Sequence, residues 1–569
     1  MGGQRGESQA VRERGDAKVQ GSDVRGNPRS QTTPGAGSAA DQSVAQEFVQ
    51  LPTRQIVLTM FGVMLAMFLA SLDQTVVATA MPRIIADLGG FDRFTWVTTA
   101  YLVASTTAVP IVGRLTDIHG RKIFYVAGIV VFLIGSVLAG FSQTMNQLIV
   151  FRAVQGLGGG IIMVNSFTAI ADLFPPETRG KYQGFIGVVF GLSSVIGPTL
   201  GGFITDNISW NWVFFINVPI GVPVLLLIAF LFPAIKPEVE NRRHDYAGMV
   251  TLVLAVVPIL LALSWGGVQY GWASPQVVGL LVIGVVMVAA FITIEYRSDS
   301  PIMPLEIYRN RMVAVSLIVT FFTGFGMFGG IIFIPLFFQG VLGASATSSG
   351  SFLTPMMLGI VVGATLSGQL LARTGLRYRV FGLGGVAFMT AGLFLVSTMD
   401  ENTSFARAVV YIVIMGAGLG STFPTFTLSV QNSIPYRLMG TATSALQFFR
   451  SIGGMLGLAL LGAVMANRFA SKLDQSLPDS VSNVLPPERI EAMKENPQAL
   501  VDPSALADLQ ARFTGPEGQQ MAEQFLNALK SSLSGAISDV FTVSVVLVAI
   551  ALVATLFLKV PETGRARDA

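Results

Sequence analysis

From residue 56 onward the chain alternates long apolar blocks with short polar connectors. The blocks predict fourteen membrane-spanning helices, at roughly 56–80, 94–112, 123–142, 147–171, 183–205, 211–233, 247–265, 277–295, 312–338, 347–371, 379–398, 405–430, 438–466 and 535–559. Blocks of about 20 residues are too long for ordinary core helices and match the hydrocarbon thickness of a bilayer. The fold class is therefore an all-α polytopic membrane protein. Residues 1–54 are rich in Gly, Ser, Gln, Arg and Asp. Such a segment cannot bury a core and reads as a disordered tail. It has no apolar run of its own, so it is not a cleavable signal peptide. The segment 467–534 is polar, but Leu506, Leu509 and Phe513, then Met521, Phe525, Leu529 and Leu533, recur at helical spacing. It is expected to form one or two surface helices on the membrane or the outer mouth, with a partner-binding domain as the alternative.

Charge placement orients the spans. One set of connectors carries Arg114, Arg121, Lys122, Arg179, Lys181, Lys236, Arg242, Arg243, Arg297, Arg309, Arg311, Arg373, Arg377 and Arg437, and both tails are basic. The opposite connectors hold little beyond Arg83, Arg93 and Arg407. The positive-inside rule makes the basic set cytoplasmic, and both termini with it. Segment 467–534 then lies outside.

Composition narrows the function. Charged residues are 12% of the chain and hydrophobic ones 52%, against about a quarter charged in soluble domains. A net charge of +3 does not suggest a nucleic-acid partner. There is no cysteine, and His119 and His244 lie in different connectors, so no metal site is expected. No phosphate-binding loop occurs, which argues against ATP as an energy source. No catalytic constellation emerges, so the chain does not read as an enzyme.

One carboxylate interrupts the first apolar block, in "FLASLDQTVVATAMP" (68–82). Asp73 falls roughly seven residues before the predicted outer end of its span, about 10 Å deep. Arg152, about five residues into the fourth span, has a similar depth at the same rise per residue. Charges facing lipid at a span centre cost about 2.5–3.5 kcal/mol, so both are expected to face the interior or a water-filled cavity. Burial favours the neutral form of an acid and a nearby arginine the ionised form. An acid held between these influences can load and release a proton. The alternative is a static ion pair, or an Asp73 that only caps or positions polar groups such as Gln74 and Thr75. Arg450 is a second intramembrane charge, without an evident acidic partner in its half. Backbone carbonyls, Gln447 or an anionic part of a substrate could meet it. Polar groups that could line a cavity are Gln74, Gln155, Asn165, Asn217 and Gln431. The Phe and Met content would suit an adaptable apolar cavity, but ordinary span composition explains it as well.

The chain repeats. "GRLTDIHGRK" (113–122) aligns with "GQLLARTGLR" (368–377), placing Gly113, Leu115 and Gly120 opposite Gly368, Leu370 and Gly375. "GLGGG" (156–160) aligns with "GAGLG" (416–420), and Pro175 and Gly180 with Pro435 and Gly440. Six spans per half leave two in the middle. The expected plan is a six-helix bundle at 55–233, a two-helix insert at 234–311 and a second bundle at 312–569, which includes segment 467–534 and a short cytoplasmic tail. Parallel halves suggest a transporter with its site between them.

These residues make the sequence resemble the major facilitator superfamily, specifically its 14-span drug:proton antiporters of the EmrB/QacA type. "LDQTVVATAMP" (72–82) is similar to the family's first-span motif and "GRLTDIHGRK" to its loop signature. "RAVQGLGGG" (152–160) resembles its fourth-span motif, and "GLSSVIGPTLGG" (191–202) its fifth-span antiporter motif with Gly191, Gly197, Pro198, Gly201 and Gly202. The likeness covers about residues 55–560. The sequence departs from the signature at Ile118, where a basic residue is usual, and at Ala372, which stands opposite Asp117 in the second half. Gly326 falls opposite Asp73, so proton handling is expected in the N-terminal half alone.

The resemblance implies export of lipophilic, often cationic, drugs across the cell membrane in exchange for protons, and hence antibiotic resistance. It also implies alternating access, no cofactor beyond the proton gradient, and action as a monomer. Asp73 would carry the proton and Arg152 tune it. Gly113, Asp117, Gly120, Arg121 and Lys122 would form a cytoplasmic gating loop that latches the halves in the outward-open state, with anchoring to the bilayer surface accounting for part of the role of Arg121 and Lys122. The alternatives are export of an endogenous lipid or metabolite by the same fold, and a transport-dead sensor or scaffold.

Overall fold

The computed structural model describes residues 52–90, 93–235, 243–267, 269–343, 346–374, 377–477 and 515–558. All but the end of the tail expected at 1–54 lies outside them. The described residues are helical, with one isolated bridge between Gly266 and Tyr270. Among the described residues, fourteen helices are long and apolar enough to cross a membrane. In hydrocarbon each backbone N–H and C=O must be satisfied within its own segment, which helices do.

The first half comprises α1 (Thr53–Leu88), α2 (Thr95–His119), α3 (Arg121–Gly140), α4 (Met145–Leu173), α5 (Pro176–Asn207), the single turn α6 (Trp212–Phe215) and α7 (Asn217–Leu231). The helices α8 (Tyr246–Trp265) and α9 (Pro275–Arg297) follow, then the short α10 (Leu305–Arg309). The second half holds α11 (Arg311–Gly340), α12 (Ala346–Arg373), α13 (Tyr378–Ser397), α14 (Phe405–Gln431), α15 (Met439–Ser476) and α16 (Gly515–Thr555). Local chemistry sets several starts. Thr144, Asp245, Ser274 and Asn310 accept amide N–H bonds at the first turns of α4, α8, α9 and α11. Between α2 and α3, Gly120 sits at φ +91°, a conformation that a side chain disfavours and that lets the two helices follow with one residue between them.

Two expectations change. The helix α1 does not stop at 80 but continues through Pro82 to Leu88. At 1.5 Å per residue it is about 54 Å long, so it projects beyond the bilayer core and Asp73 sits deeper along it than expected. The outer segment also differs. Met521, Phe525, Leu529 and Leu533 lie on α16 itself rather than on a separate surface helix. Phe525, Leu529 and Leu533 are buried in one cluster with Phe469 and Leu473 of α15, and Asp539 pairs with Lys472 at 3.4 Å and Arg468 at 3.7 Å. The two spans extend past their apolar windows as a packed pair. Leu506, Leu509 and Phe513 lie outside the described residues.

The halves meet through α2 against α15 and α5 against α12. The α8–α9 pair packs beside the first contact: Leu252, Val256 and Leu260 share a cluster with Val109 of α2 and Leu446 of α15. Close approach requires glycines in repeat-related pairs. A Cβ on Gly440 would lie 2.6 Å from the Gly113 carbonyl oxygen, and one on Gly180 would lie 2.5 Å from that of Gly368. Because the repeat pairs Gly113 with Gly368 and Gly180 with Gly440, these are one contact made twice, as a pseudo-two-fold relation of the halves demands. Farther along α5 the neighbour changes. Gly197 and Gly201 face Thr75 and Thr79 of α1, while Leu192, Val195 and Phe203 are exposed.

Candidate functional site

The carboxylate of Asp73 is 1% exposed, as is Arg152. Arg152 Nη1 donates to Asp73 Oδ2 at 2.5 Å. The other oxygen, Oδ1, accepts from Gln155 Nε2 at 2.7 Å and Asn217 Nδ2 at 2.9 Å. Helical geometry places Gln155 three residues after Arg152 on the same face, and Arg152 Nη1 also donates to Gln155 Oε1 at 2.8 Å. Asn217, at the start of α7, donates as well to Ser136 Oγ at 2.9 Å, and Ser136 Oγ donates to the Phe214 carbonyl at 2.8 Å. The guanidinium lies 4.4 Å from the Tyr101 ring centroid, and Nε donates to the Val97 carbonyl at 3.4 Å. Every contact to the Asp73 carboxylate comes from a donor, so the charge is compensated by hydrogen bonds as well as by its pair. Arg152 holds two further acceptors that do not depend on Asp73.

A second cluster joins the halves at the predicted gating loop. Asp117 Oδ1 accepts from the Gly440 amide at 2.8 Å, and Oδ2 from the Thr441 amide at 2.7 Å and its hydroxyl at 2.8 Å. Asp117 thus caps the N-terminus of α15, a helix of the other half, where an acid meets the positive end of the helix dipole. Arg121 lies 3.4 Å from Asp117 Oδ1, pairs with Asp172 Oδ1, and donates to Tyr436 Oη at 3.1 Å. Tyr436 in turn donates to Asp172 at 2.7 Å. On the repeat-related contact Ala372, not an acid, lies beside Gly180, and Arg179 Nη1 donates instead to Asn432 Oδ1 at 2.9 Å.

Residues 63–458 match the family described as Major Facilitator Superfamily. The chain belongs to the major facilitator superfamily. Multidrug transporter protein MdtP of Bacillus subtilis (strain 168) is 39% identical over 88% of this chain and 92% of its own. Multidrug resistance protein 3 of the same organism is 40% identical over 91% and 96%. Among solved structures, the human organic anion transporter MFSD10 (TETRAN) matches 88% of this chain and 100% of its own, with a TM-score of 0.56 at 14% identity. That likeness concerns the fold. As a major facilitator the protein is an integral multi-pass membrane transporter, not an enzyme.

The superfamily fold brings some predicted residues together and separates others. Gln155 and Asn217, expected as cavity lining, are instead buried ligands of Asp73. Asn165 is buried and donates to the Ile161 carbonyl of its own helix at 2.8 Å. Gln431 is buried and donates to the Phe167 carbonyl across the halves at 3.3 Å. Gln74 alone of the polar set is exposed, on α1 beside Tyr101. Arg450 is 4% exposed and donates to Gln447 Oε1 at 3.1 Å. In α5, which runs unbroken through Pro198, Gly191 faces Val361 of α12, whereas Gly202 faces open space. Lys122 is half-buried and makes no ion pair among the described residues. His119 and His244 do meet, with ring centroids 4.8 Å apart, but no group of three metal-ligating side chains occurs among the described residues. Asp172, Tyr436 and Asn432 were missed. Asp172 sits one residue beyond the predicted end of the fourth span, and its repeat position is Asn432; that pairing was the available signal.

Proposed function

We propose that this protein exports small lipophilic compounds in exchange for protons, with Asp73 as the carrier and Arg152 as the group that tunes it. The observation that carries the reading is the Asp73 cluster: a buried carboxylate held only by donors, with Gly326 at its repeat position. A Cβ on Gly326 would collide with Met389, so the second half fills the corresponding space with hydrocarbon. The names of the Bacillus relatives support drugs as substrates.

The proposed cycle follows from the contacts. Protonation neutralises Asp73 and dissolves its pair with Arg152, which keeps Gln155 Oε1 and the Val97 carbonyl as acceptors. The helix α1 is then free to shift. It is tied to α5 through the Ser71–Ser193 hydroxyl pair at 2.6 Å and the bond from Thr75 Oγ1 to the Ser193 carbonyl at 3.2 Å. The same α5 carries the glycines packed on α12 of the other half, so a displacement at Asp73 reaches the interface between the halves. With the loop side cytoplasmic, the contacts that Asp117 makes to α15 close the inner face, and both termini are cytoplasmic. The proton gradient suffices as the energy source, no cofactor takes part, and the monomer is the working unit.

Proteoliposomes with an imposed pH gradient test this. A panel of lipophilic cations and neutral compounds should collapse the gradient through wild type and not through Asp73→Asn of equal insertion. An unimpaired mutant refutes the carrier role.

A further inference from the structure

Arg450 is a buried cation that the proposed cycle does not use. Among the described residues no carboxylate pairs with it. One Nη1–H bond goes to Gln447 Oε1 at 3.1 Å, and the buried Nε has no acceptor. Its guanidinium lies 4.2 Å from the ring centroid of Phe423 on α14. An arginine presents five N–H donors in a planar fork, and leaving such a group under-satisfied inside a membrane protein is costly.

Its position is central. The alignment that pairs Gly180 with Gly440 also pairs Phe190 with Arg450. Phe190 too packs on Phe423, with centroids 6.1 Å apart. Two repeat-related side chains that share one neighbour lie beside the pseudo-two-fold axis, at the junction of the halves. Arg450 is also seven residues, about two helical turns, beyond Thr443. Thr443 accepts from Gln431, which reaches Phe167 of the first half. Arg450 therefore stands on the interface-facing side of α15, directly outward of the last polar contact that closes the loop side. Gln447, which supplies its acceptor, is only half-buried. A flexible neutral amide occupies the place where a ligand oxygen would bind.

We infer that Arg450, with Phe423 and Phe190, is the recognition point for an acidic group on the transported compound, a carboxylate or phenolate carried next to an aromatic ring. An acidic oxygen replaces Gln447 Oε1 on Nη1, and its charge compensates the guanidinium, while the ring lies against the phenylalanines. Substrates then include amphiphilic acids and zwitterions, not cations alone. This rests on the export reading and specifies its substrate class.

The test uses the full-length protein and two probes with one aromatic body, one bearing a carboxylate and the other a quaternary ammonium. Affinities are measured for wild type, Arg450→Gln and Arg450→Lys. The carboxylate-to-ammonium affinity ratio should fall about tenfold or more in Arg450→Gln, as loss of a charge-assisted hydrogen bond implies, and recover in part in Arg450→Lys. A purely structural arginine would lower both affinities in proportion, and an unchanged ratio overturns the assignment. Wild type that binds the ammonium probe and not the carboxylate overturns it too, and leaves the export reading intact. Wild type that neither binds nor transports either probe overturns both.

Discussion

Replacing Asp117 by Asn should open the loop side of the transporter. The carboxylate accepts three bonds from the start of α15, at 2.7–2.8 Å, and lies beside Arg121. Asparagine of the same size offers one acceptor oxygen, and turns an N–H₂ toward amides that are themselves donors. Hydrogen bonds to a charged group contribute about 1.5–3 kcal/mol and neutral ones about 0.5–1.5, so the three together lose about 3 kcal/mol. These bonds join the two halves and exist only while that side is closed. The loss therefore falls on the closed-to-open ratio, a shift on the order of 100-fold. The chain contains no cysteine, so spin labels at Glu177→Cys and Arg373→Cys are unique. Both sites are exposed, at the start of α5 and the end of α12 in opposite halves. Double electron–electron resonance should show one short distance in wild type and a dominant longer one in Asp117→Asn. Identical distributions would refute the reasoning.

Further outcomes follow from the geometry. Gly180→Ala should impair transport and lengthen the same label distance, since its Cβ would lie 2.5 Å from a backbone oxygen; Gly202→Ala meets open space, and its measured stability should change by no more than about 1 kcal/mol, the helix-propensity difference. Arg152→Gln strands a buried carboxylate and should lower thermal stability by about 3–5 kcal/mol, and adding Asp73→Asn should restore much of it in a double-mutant cycle. Asp539→Asn removes partly exposed pairs with Lys472 and Arg468 and should change unfolding by under about 1 kcal/mol.

The spans were legible because hydrocarbon demands long apolar runs, and each predicted span has its helix. Their ends were not, because a helix can leave the bilayer without ending. Pro82 did not stop α1, and α16 begins among polar residues whose apolar positions keep helical spacing. Asp73 and Arg152 stood out because charge in an apolar block is costly, and their pairing followed from similar depth. Gln155 was within reach, three residues from Arg152. Asn217 was not: it meets Asp73 only because α7 packs against α1 and α3, and local sequence carries no trace of that contact. At the loop side Asp117 stood out within the loop signature, but not the helix that it caps. That helix lies in the other half, and only the cross-pairing of Gly113 with Gly440 and of Gly180 with Gly368 shows how the repeats face each other.

The most direct test of the central claim is proton release on substrate binding. Purified protein in weakly buffered detergent receives a lipophilic cation that wild type transports, and a pH indicator follows the solution. Linkage requires that a ligand which displaces the Asp73 proton also bind more tightly as pH rises. Wild type should release protons with an affinity that increases with pH, and Asp73→Asn should bind without release. Equal release from both proteins would contradict the assignment of the carrier to Asp73.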